Sequence, residues 1–311
     1  MVWPASATIC EVGLRDGIQN EKKLLSVEEK LDLLDAVVAS NIKIIEIGSF
    51  VHPKAVPQMA DTGEVAKRMK RVPGVEYRVL VPNLKGLERA HDAGLTKAKL
   101  TVSVSETHCR KNFNMSPLDM MEGFKPCVDF AAKNGIEISG ALSSAWGCAF
   151  EGRIAQEQIE KITRAFIALG ITELSLSDAT GMANPRHIYE MGGYMRKTFP
   201  DVRWVLHLHN TRGMALACVT AALQVGITTF DGAFAGLGGC NFIPDATGNV
   251  ATEDLVHMLH EMGVSTGVDL VKAMETGRLA EKYVGHEAGS YVLRAGRCED
   301  LVANTAGKCN G

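Results

Sequence analysis

The sequence lacks several features that would indicate particular classes of protein. It has eight cysteines among 311 residues but no CxxC pair, so we expect reduced thiols in a cytoplasmic protein rather than a disulfide framework. No basic stripe alternates with aromatic residues, and the net charge is −3, which argues against a nucleic-acid partner. No apolar run approaches the ~20 residues that span a bilayer, so no membrane partner is expected. Residues 1–6 are too short and too polar for a signal peptide.

Short strand-like runs alternate with longer helix-like runs along most of the chain. Eight strands are predicted, at Ala7–Val12, Lys43–Gly48, Glu76–Val81, Ala98–Val104, Gly135–Ala141, Thr172–Ser177, Val202–His209 and Ile227–Ala233. Eight β/α units predict an α/β fold, a (β/α)8 TIM barrel. A doubly wound open sheet is the alternative, but no G-x-G-x-x-G follows the first strand.

The helical patterns define the expected domain organisation. Ser26 and Glu29 have the spacing of a capping box for the helix after strand one. One helical run covers Pro117–Asn134, and helical runs end at Gly94, Gly135, Gly170 and Gly226, as suits a C′ position. After the barrel (about 7–262), an extension (about 263–311) contains two predicted helices, Val268–Thr276 and Arg278–Val284, expected to pack over one end. With no linker or repeat, residues 1–311 are interpreted as a single catalytic domain.

A His-x-His pair lies near the end of the seventh predicted strand. His207 and His209 are two residues apart, so in an extended strand they project to the same face. Two imidazoles directed at one point form half of a divalent-metal site. Taken alone, such histidines are more often hydrogen-bonded interior residues than ligands.

Polar residues follow the other strands, at the barrel end where catalytic residues of this fold lie. They are Arg15, Asp16, Gln19, Asn20, Glu46, Ser103, Ser105, Glu106, Ser143, Ser144, Asp178 and Asn249. Asp16 and Asn249 can join His207 and His209 as metal ligands, although an Asx-turn and a simple turn are the alternatives. Nitrogen and oxygen ligands without thiolate favour Mg²⁺ or Mn²⁺ over zinc.

A glycine-rich run after the eighth strand carries a cysteine. Residues 236–241 read G-L-G-G-C-N, so backbone amides are available and the loop bends tightly. A thiol there, Cys240, can act as an acid or a nucleophile. A small buried apolar role for Cys240 fits the position equally well.

Three longer motifs resemble those of 3-hydroxy-3-methylglutaryl-CoA lyases. They are E-V-G-L-R-D-G-I-Q-N-E-K at 11–22, S-F-V-H-P-K with V-P-Q-M-A-D at 49–61, and G-L-G-G-C with G-N-V-A-T-E-D at 236–254. The likeness covers about residues 8–285. The wider group of metal-dependent TIM-barrel lyases and synthases also includes isopropylmalate and homocitrate synthases and 4-hydroxy-2-oxoacid aldolases.

The resemblance implies a reaction and a role for each matching residue. The reaction is retro-Claisen cleavage of a 3-hydroxyacyl-CoA, with 3-hydroxy-3-methylglutaryl-CoA giving acetyl-CoA and acetoacetate. Asp16, His207, His209 and Asn249 would hold the metal, Arg15 would polarise the thioester carbonyl, and Cys240 would be the catalytic thiol. Glu46 and Asp178 would support the substrate, and the likeness suggests a homodimer.

The chain departs from the family pattern immediately after the histidine pair. Asn210 and Arg212 replace an acid and a tyrosine of H-x-H-D-T-Y-G-Q, which can alter the acyl group that is recognised. We expect Gln19, Ser144, Asn210 and Arg212 to contact the substrate. A related 3-hydroxyacyl-CoA, an acetyl-CoA-dependent synthase or aldolase activity, and a catalytically silent metal-binding protein are the alternatives.

Overall fold

Eight parallel strands close into a barrel in the order of the chain. The computed structural model describes residues 3–239 and 247–301. The strands are β1 (Thr8–Glu11), β2 (Ile44–Ser49), β3 (Glu76–Leu80), β4 (Lys97–Ser103), β5 (Glu137–Ser143), β6 (Glu173–Asp178), β7 (Arg203–Leu208) and β8 (Thr229–Gly232). Pairing of β1 with β8 closes the sheet. The predicted TIM barrel is therefore confirmed.

Helices surround this sheet and cover its outer face. They are α1 (Val27–Ala39), α2 (Thr62–Arg68), α3 (Leu84–Asp92), α4 (Glu106–Phe113), α5 (Pro117–Gly123), α6 (Lys125–Asn134), α7 (Gln156–Ala168), α8 (Pro185–His187), α9 (Gly193–Thr198), α10 (Ala215–Gln224), α11 (Thr252–Glu261), α12 (Leu270–Val284) and α13 (Tyr291–Ala295). A π-helical turn, Ile188–Gly192, joins α8 to α9. Among residues 3–239 and 247–301, the helices lack the combination of length and hydrophobicity that a bilayer-spanning segment needs.

The start of α1 confirms the capping box predicted from its sequence. Ser26 Oγ accepts a hydrogen bond from the backbone N–H of Glu29 at 3.1 Å, and Glu29 Oε2 accepts from the backbone N–H of Ser26 at 2.8 Å. The four glycines predicted to follow helices all have positive φ, between 65° and 82°. Gly135 adopts this left-handed conformation at the end of α6, so it cannot begin β5 as predicted. The strand begins two residues later, at Glu137, and ends at Ser143.

Several side chains that point into the barrel are charged or carry hydroxyl groups. In β4, Leu100 and Val102 are fully buried in the main hydrophobic core, whereas Lys99 points inward and pairs with Glu46 of β2 and Asp231 of β8. Side chains of a strand alternate between its faces, so Thr101 shares the inward face with Lys99. The main apolar core therefore lies between sheet and helices, and the barrel interior holds charged and hydroxyl groups beside a small apolar cluster of Cys10, Val12, Ile44 and Ala233.

Two helical predictions were wrong. The run predicted over 117–134 is two helices, α5 and α6, because the chain turns at Phe124. The two helices predicted in the C-terminal extension are one, α12, which continues through Gly277. A Cβ at that position would lie 2.8 Å from Glu253 Oε1, so the glycine permits close packing on α11.

Within the described part of the C-terminal extension, helix α12 lies along the outside of the barrel beside α1, rather than over one end as predicted. The backbone N–H of Asp269, which caps α12, donates to the carbonyl of Ser40 at the end of α1. At the other end of α12, Lys23 donates to the carbonyl of Tyr283. The helix therefore runs antiparallel to α1. That residues 1–311 form a single catalytic domain stays a prediction.

Candidate metal and active site

A five-residue π-helical turn after β1 places Arg15 and Asp16 at the carboxyl end of the barrel. In the turn Gly13–Gly17, the backbone N–H groups of Arg15, Asp16 and Gly17 all donate to the carbonyl of Val12, at 2.7–3.2 Å. The tight winding directs both side chains over the barrel mouth. Such π-helical segments occur often at functional sites.

The histidine pair of the seventh strand meets Asp16 at this mouth. Nε2 of His209 lies 3.2 Å and Nε2 of His207 lies 3.5 Å from Oδ2 of Asp16. Both histidines are buried. One ligand atom from each of the three residues lies within 4.8 Å of the others. The barrel therefore brings together three of the four predicted metal ligands.

Asn249 approaches the same carboxylate from the segment after the eighth strand. Its Nδ2 donates to Asp16 Oδ2 and to the carbonyl of Leu237, both at 3.0 Å. Its Oδ1 is buried without a hydrogen-bond partner among residues 3–239 and 247–301. An orphaned buried oxygen is costly unless a ligand satisfies it. The donor set of two imidazoles, a carboxylate and an amide oxygen fits a divalent cation.

The electrostatics of this cluster hold Asp16 ionised. Burial raises the pKa of Asp16, but Arg15 and the two histidines outweigh it and keep the pKa well below its usual value. Burial also lowers the pKa of His207, yet Asp16 and Asp231 raise it to about 9. With no cation bound, the cluster therefore retains a proton that a divalent metal would displace, since ligands bind deprotonated.

Arg15 is held by carboxylates on both sides. Its Nε pairs with Glu46 and its Nη1 with Asp16. Burial lowers the pKa of Arg15, but Asp16 and Glu46 raise it above its ordinary value. The predicted inward orientation of Glu46 is confirmed, since it pairs with the inward-facing Lys99 of β4. A fixed cation thus lies beside the metal ligands.

Two residues of this network, Lys99 and Asp231, were not predicted from the sequence. Lys99 Nζ lies 2.5 Å from Glu46 Oε2 and 3.6 Å from Asp231 Oδ2. Asp231 Oδ2 lies 3.1 Å from His207 Nδ1. The available signal was strand alternation, because each is a charged residue between apolar or small neighbours inside a predicted strand.

A cavity of about 230 Å³ opens above these groups. Six predicted site residues line it, namely Arg15, Asp16, Gln19, Ser144, His207 and His209. Lys99, Thr101, Ser143, Ser177 and Asp231 also line it. Arrangements of this kind, with a few convergent polar and charged groups in a concave site, are typical of small-molecule binding.

Other predicted residues support the wall of this cavity rather than line it. Asp178 accepts hydrogen bonds from the backbone N–H groups of Thr180, Met182 and Ala183. Arg212 donates to the carbonyl of Thr180 at 2.8 Å, and Asn210 Oδ1 accepts from the N–H of Ala215 at the start of α10. All three side chains therefore order loops around the site, and their contact with substrate stays a prediction.

The predicted catalytic thiol, Cys240, lies outside the described residues. Gly239, immediately before it, lines the cavity, and Asn20 Nδ2 donates to the carbonyl of Gly239 at 2.8 Å. Cys309 also lies outside the described residues. The six cysteines in residues 3–239 and 247–301 are free thiols, and five of them are buried.

Comparison with known proteins agrees with this geometry. The HMGL-like family model matches residues 6–280. The chain is 41% identical to a hydroxymethylglutaryl-CoA lyase of Bacillus subtilis over 285 residues, covering 92% of this chain and 95% of the relative. It is 39% identical to the mitochondrial hydroxymethylglutaryl-CoA lyase of Homo sapiens over 292 residues, covering 94% and 90%.

Solved structures give the same result. An HMG-CoA lyase of Bacillus subtilis superposes with a TM-score of 0.92 at 40% identity, covering 94% of this chain and 99% of that one. An HMG-CoA lyase of Acinetobacter baumannii, solved with coenzyme A and 3-methylmalate, superposes with a TM-score of 0.91 at 36% identity, covering 96% and 98%. The resemblance expected from the motifs is confirmed, and the chain belongs to the HMGL-like family of carbon–carbon lyases.

Proposed function

We propose that this protein is a metal-dependent lyase that cleaves 3-hydroxy-3-methylglutaryl-CoA to acetyl-CoA and acetoacetate. The observation that carries the proposal is the convergence of Asp16, His207 and His209 beside Arg15 at the mouth of one cavity. The family relatives named hydroxymethylglutaryl-CoA lyases support the choice of reaction. The relative solved with coenzyme A supports an acyl-CoA substrate.

The metal would be Mg²⁺ or Mn²⁺, held by Asp16, His207, His209 and Asn249. Its ligands are nitrogen and oxygen atoms, and hard or borderline cations prefer such sets. When bound, the cation would draw electron density from the substrate's 3-hydroxyl and lower its pKa. Asp231 supports this role because it fixes the ring of His207 through Nδ1, which leaves Nε2 directed at Asp16.

The protein's own groups would then carry the bond cleavage. Asp16, or a group that it positions, would accept the proton of the 3-hydroxyl as the bond between C2 and C3 breaks. Negative charge develops on the thioester oxygen of the departing enolate, and Arg15 would stabilise it, because its guanidinium is anchored by Glu46 and already charged. Cys240 would return a proton to C2, since a thiol with a pKa near ~8.5 suits transfer near neutral pH.

The remaining predictions concern the protein as a whole. We propose a homodimer, on the basis of the sequence resemblance, and a cytoplasmic location, on the basis of eight cysteines without a CxxC pair. Gel filtration with light scattering would test the dimer. A single species of about 33.5 kDa would contradict it.

The direct test is an assay of the purified protein with 3-hydroxy-3-methylglutaryl-CoA and either Mg²⁺ or Mn²⁺. We expect equal amounts of acetyl-CoA and acetoacetate, and no turnover after chelation of the metal. His209→Ala is expected to abolish turnover, whereas Asn134→Ala, on the exposed end of α6, should leave it unchanged. Absence of acetyl-CoA at every metal concentration would overturn the proposal.

A further inference from the structure

One side of the barrel interior is built from small polar residues. The interior of a TIM barrel is normally filled by bulky branched side chains. Here β4, β5 and β6 contribute Thr101, Ser143 and Ser177 to the cavity, together with Ala141. The strand register sets Thr101 beside Ala141 and Ser177 beside His207. Space is therefore left next to the metal ligands, on the side away from β1.

The groups around this space have hydrogen-bonding capacity that the protein does not use. Thr101 Oγ1 is buried and has no hydrogen-bond partner within the described part of the chain. Lys99 lines the same cavity, and its ammonium group has three N–H donors. Its contacts to Glu46 Oε2 at 2.5 Å and Asp231 Oδ2 at 3.6 Å are ion pairs, which leave donors for an occupant of the cavity. Buried polar groups without partners are costly, so an occupant that hydrogen-bonds to them is favoured over an alkyl group.

The charge of Lys99 restricts the occupant further. Its side chain is 4% exposed and lies between the carboxylates of Glu46 and Asp231. Lys99 shares Glu46 with Arg15, and the connected cluster holds three carboxylates, with Asp16 and Asp231, against these two fixed cations. A further carboxylate would therefore add an unpaired anion. The chemistry of the site therefore favours a neutral group that accepts and donates hydrogen bonds, such as an alcohol.

We propose that Lys99, Thr101 and Ser143 form a polar subsite for a hydroxyl group on the C3 substituent of the substrate's acyl chain. The preferred substrates are then 3-hydroxyacyl-CoA esters whose C3 substituent is a hydroxyalkyl group rather than methyl. This inference rests on the proposed lyase function, because it places the substrate's C3 carbon at the metal ligands. Thr101 and Ser143 act as specificity-determining residues.

The test compares two substrates on the metal-loaded enzyme. One is 3-hydroxy-3-methylglutaryl-CoA, and the other carries a hydroxymethyl group in place of the C3 methyl. Cleavage of the second breaks the same bond between C2 and C3, moves the proton of the 3-hydroxyl to C2, and releases acetyl-CoA and 4-hydroxyacetoacetate. We expect kcat/KM to be at least tenfold higher for the hydroxymethyl substrate.

Substitutions test whether Thr101 causes the preference for the hydroxymethyl substrate. Thr101→Val keeps the shape but removes the hydroxyl, and it should lower the ratio of the two kcat/KM values about tenfold. Ser139→Ala is the matched control. Ser139 is buried and lies two residues before Ala141 on β5, but its hydroxyl donates to the carbonyl of Ala98 rather than being free for an occupant of the cavity. We expect that control to leave the ratio unchanged. A ratio measured within one protein is insensitive to general damage by the substitution.

The outcomes separate this inference from the proposed function. Cleavage of neither substrate overturns both. Cleavage of the methyl substrate with equal or better kcat/KM leaves the lyase function intact and overturns the polar subsite, whose groups would then bind only water. A preference for the hydroxymethyl substrate that survives Thr101→Val would overturn the assignment to these residues.

Discussion

The Nδ1 atom of His207 lies 3.1 Å from Oδ2 of Asp231, and the two residues are in register on adjacent strands. Metal-ligating histidines commonly give their second ring nitrogen to a carboxylate, which fixes the ring and raises its basicity. Asp231 is 2% exposed, so solvent does not weaken the contact. It therefore orients one proposed metal ligand, His207, from behind the imidazole ring.

Asp231→Asn is expected to weaken metal binding about 10- to 100-fold, because the carboxylate charge that supports His207 is lost. Calorimetric titration of the apo-protein with Mn²⁺ measures the affinity directly. Asp201→Asn, on the exposed segment before β7, is the control and should bind as the unmodified protein does. An unchanged dissociation constant for Asp231→Asn would show that His207 is oriented by other contacts.

Glu11 makes the stability of the protein depend on pH. It is buried, and it accepts hydrogen bonds from the N–H groups of Gly13 and Phe234 and from Thr252 Oγ1. Burial raises its pKa from 4.5 to about 7, although those hydrogen bonds oppose the shift. Because the pKa of Glu11 is higher in the folded than in the unfolded state, its protonated carboxyl group stabilises the fold. This contribution is full below about pH 4.5, the pKa of an exposed glutamate. It is then lost as pH rises to about 7.

The neutral variant Glu11→Gln should lack this dependence. Relative to Glu11→Gln, the unmodified protein should lose about 3 kcal/mol of unfolding free energy between pH 4.5 and pH 7.5 (about 1.4 kcal/mol per pH unit). Urea denaturation of both proteins across this range gives the difference, in which the titration of groups that do not interact with Glu11 cancels. Parallel stability profiles would contradict the raised pKa.

The sequence predicted those features that depend on local pattern. The eight strands and the placement of Asp16, His207 and His209 follow from hydrophobic period and from the position of strand ends. The capping box at Ser26 follows from its three-residue spacing to Glu29. In a closed parallel barrel, residues at strand ends converge whatever the details of packing. The metal cluster could therefore be assembled from spacing and topology together.

Features that depend on packing between elements were not predictable in this way. Alternation indicates that Lys99 faces inward, but not that Glu46 and Asp231 meet it across the barrel. Nothing in the sequence indicated that Arg212 donates to the carbonyl of Thr180, because loop conformation decides where a side chain points. Gly277 suggested a break between helices, whereas close packing on Glu253 keeps α12 continuous.

Glu173 holds together the cations at the amino-terminal end of the barrel. It pairs with Arg78 at 2.7 Å, Arg203 at 3.2 Å and Lys97 at 3.3 Å, and its side chain is 11% exposed. Removing one partner from a buried ionic cluster leaves unbalanced charges in a poorly solvated place. Glu173→Gln should therefore lower the free energy of unfolding by about 3 kcal/mol, with kcat within about twofold because this end lies away from the site.

Glu137→Gln is the matched control for that cluster. Glu137 contacts Lys97 at 2.9 Å but is 77% exposed, and exposed ion pairs contribute little, about 0–1 kcal/mol. Urea denaturation should thus show a large loss of unfolding free energy for Glu173→Gln and a small loss for Glu137→Gln, although both residues contact Lys97. Equal losses would indicate that burial does not decide the strength of these pairs.

Arg15→Lys is expected to separate catalysis from metal binding. Arg15 spans two carboxylates with different nitrogens, Nε to Glu46 and Nη1 to Asp16, which the single ammonium of lysine cannot reproduce. Loss of one aligned donor to a developing enolate lowers kcat about 100- to 1,000-fold. The proposed metal ligands Asp16, His207 and His209 remain, so the Mn²⁺ dissociation constant should change by less than about threefold. Steady-state kinetics and metal titration on the same preparation measure both, and an equal loss of metal binding and kcat would instead show that Arg15 acts by positioning Asp16.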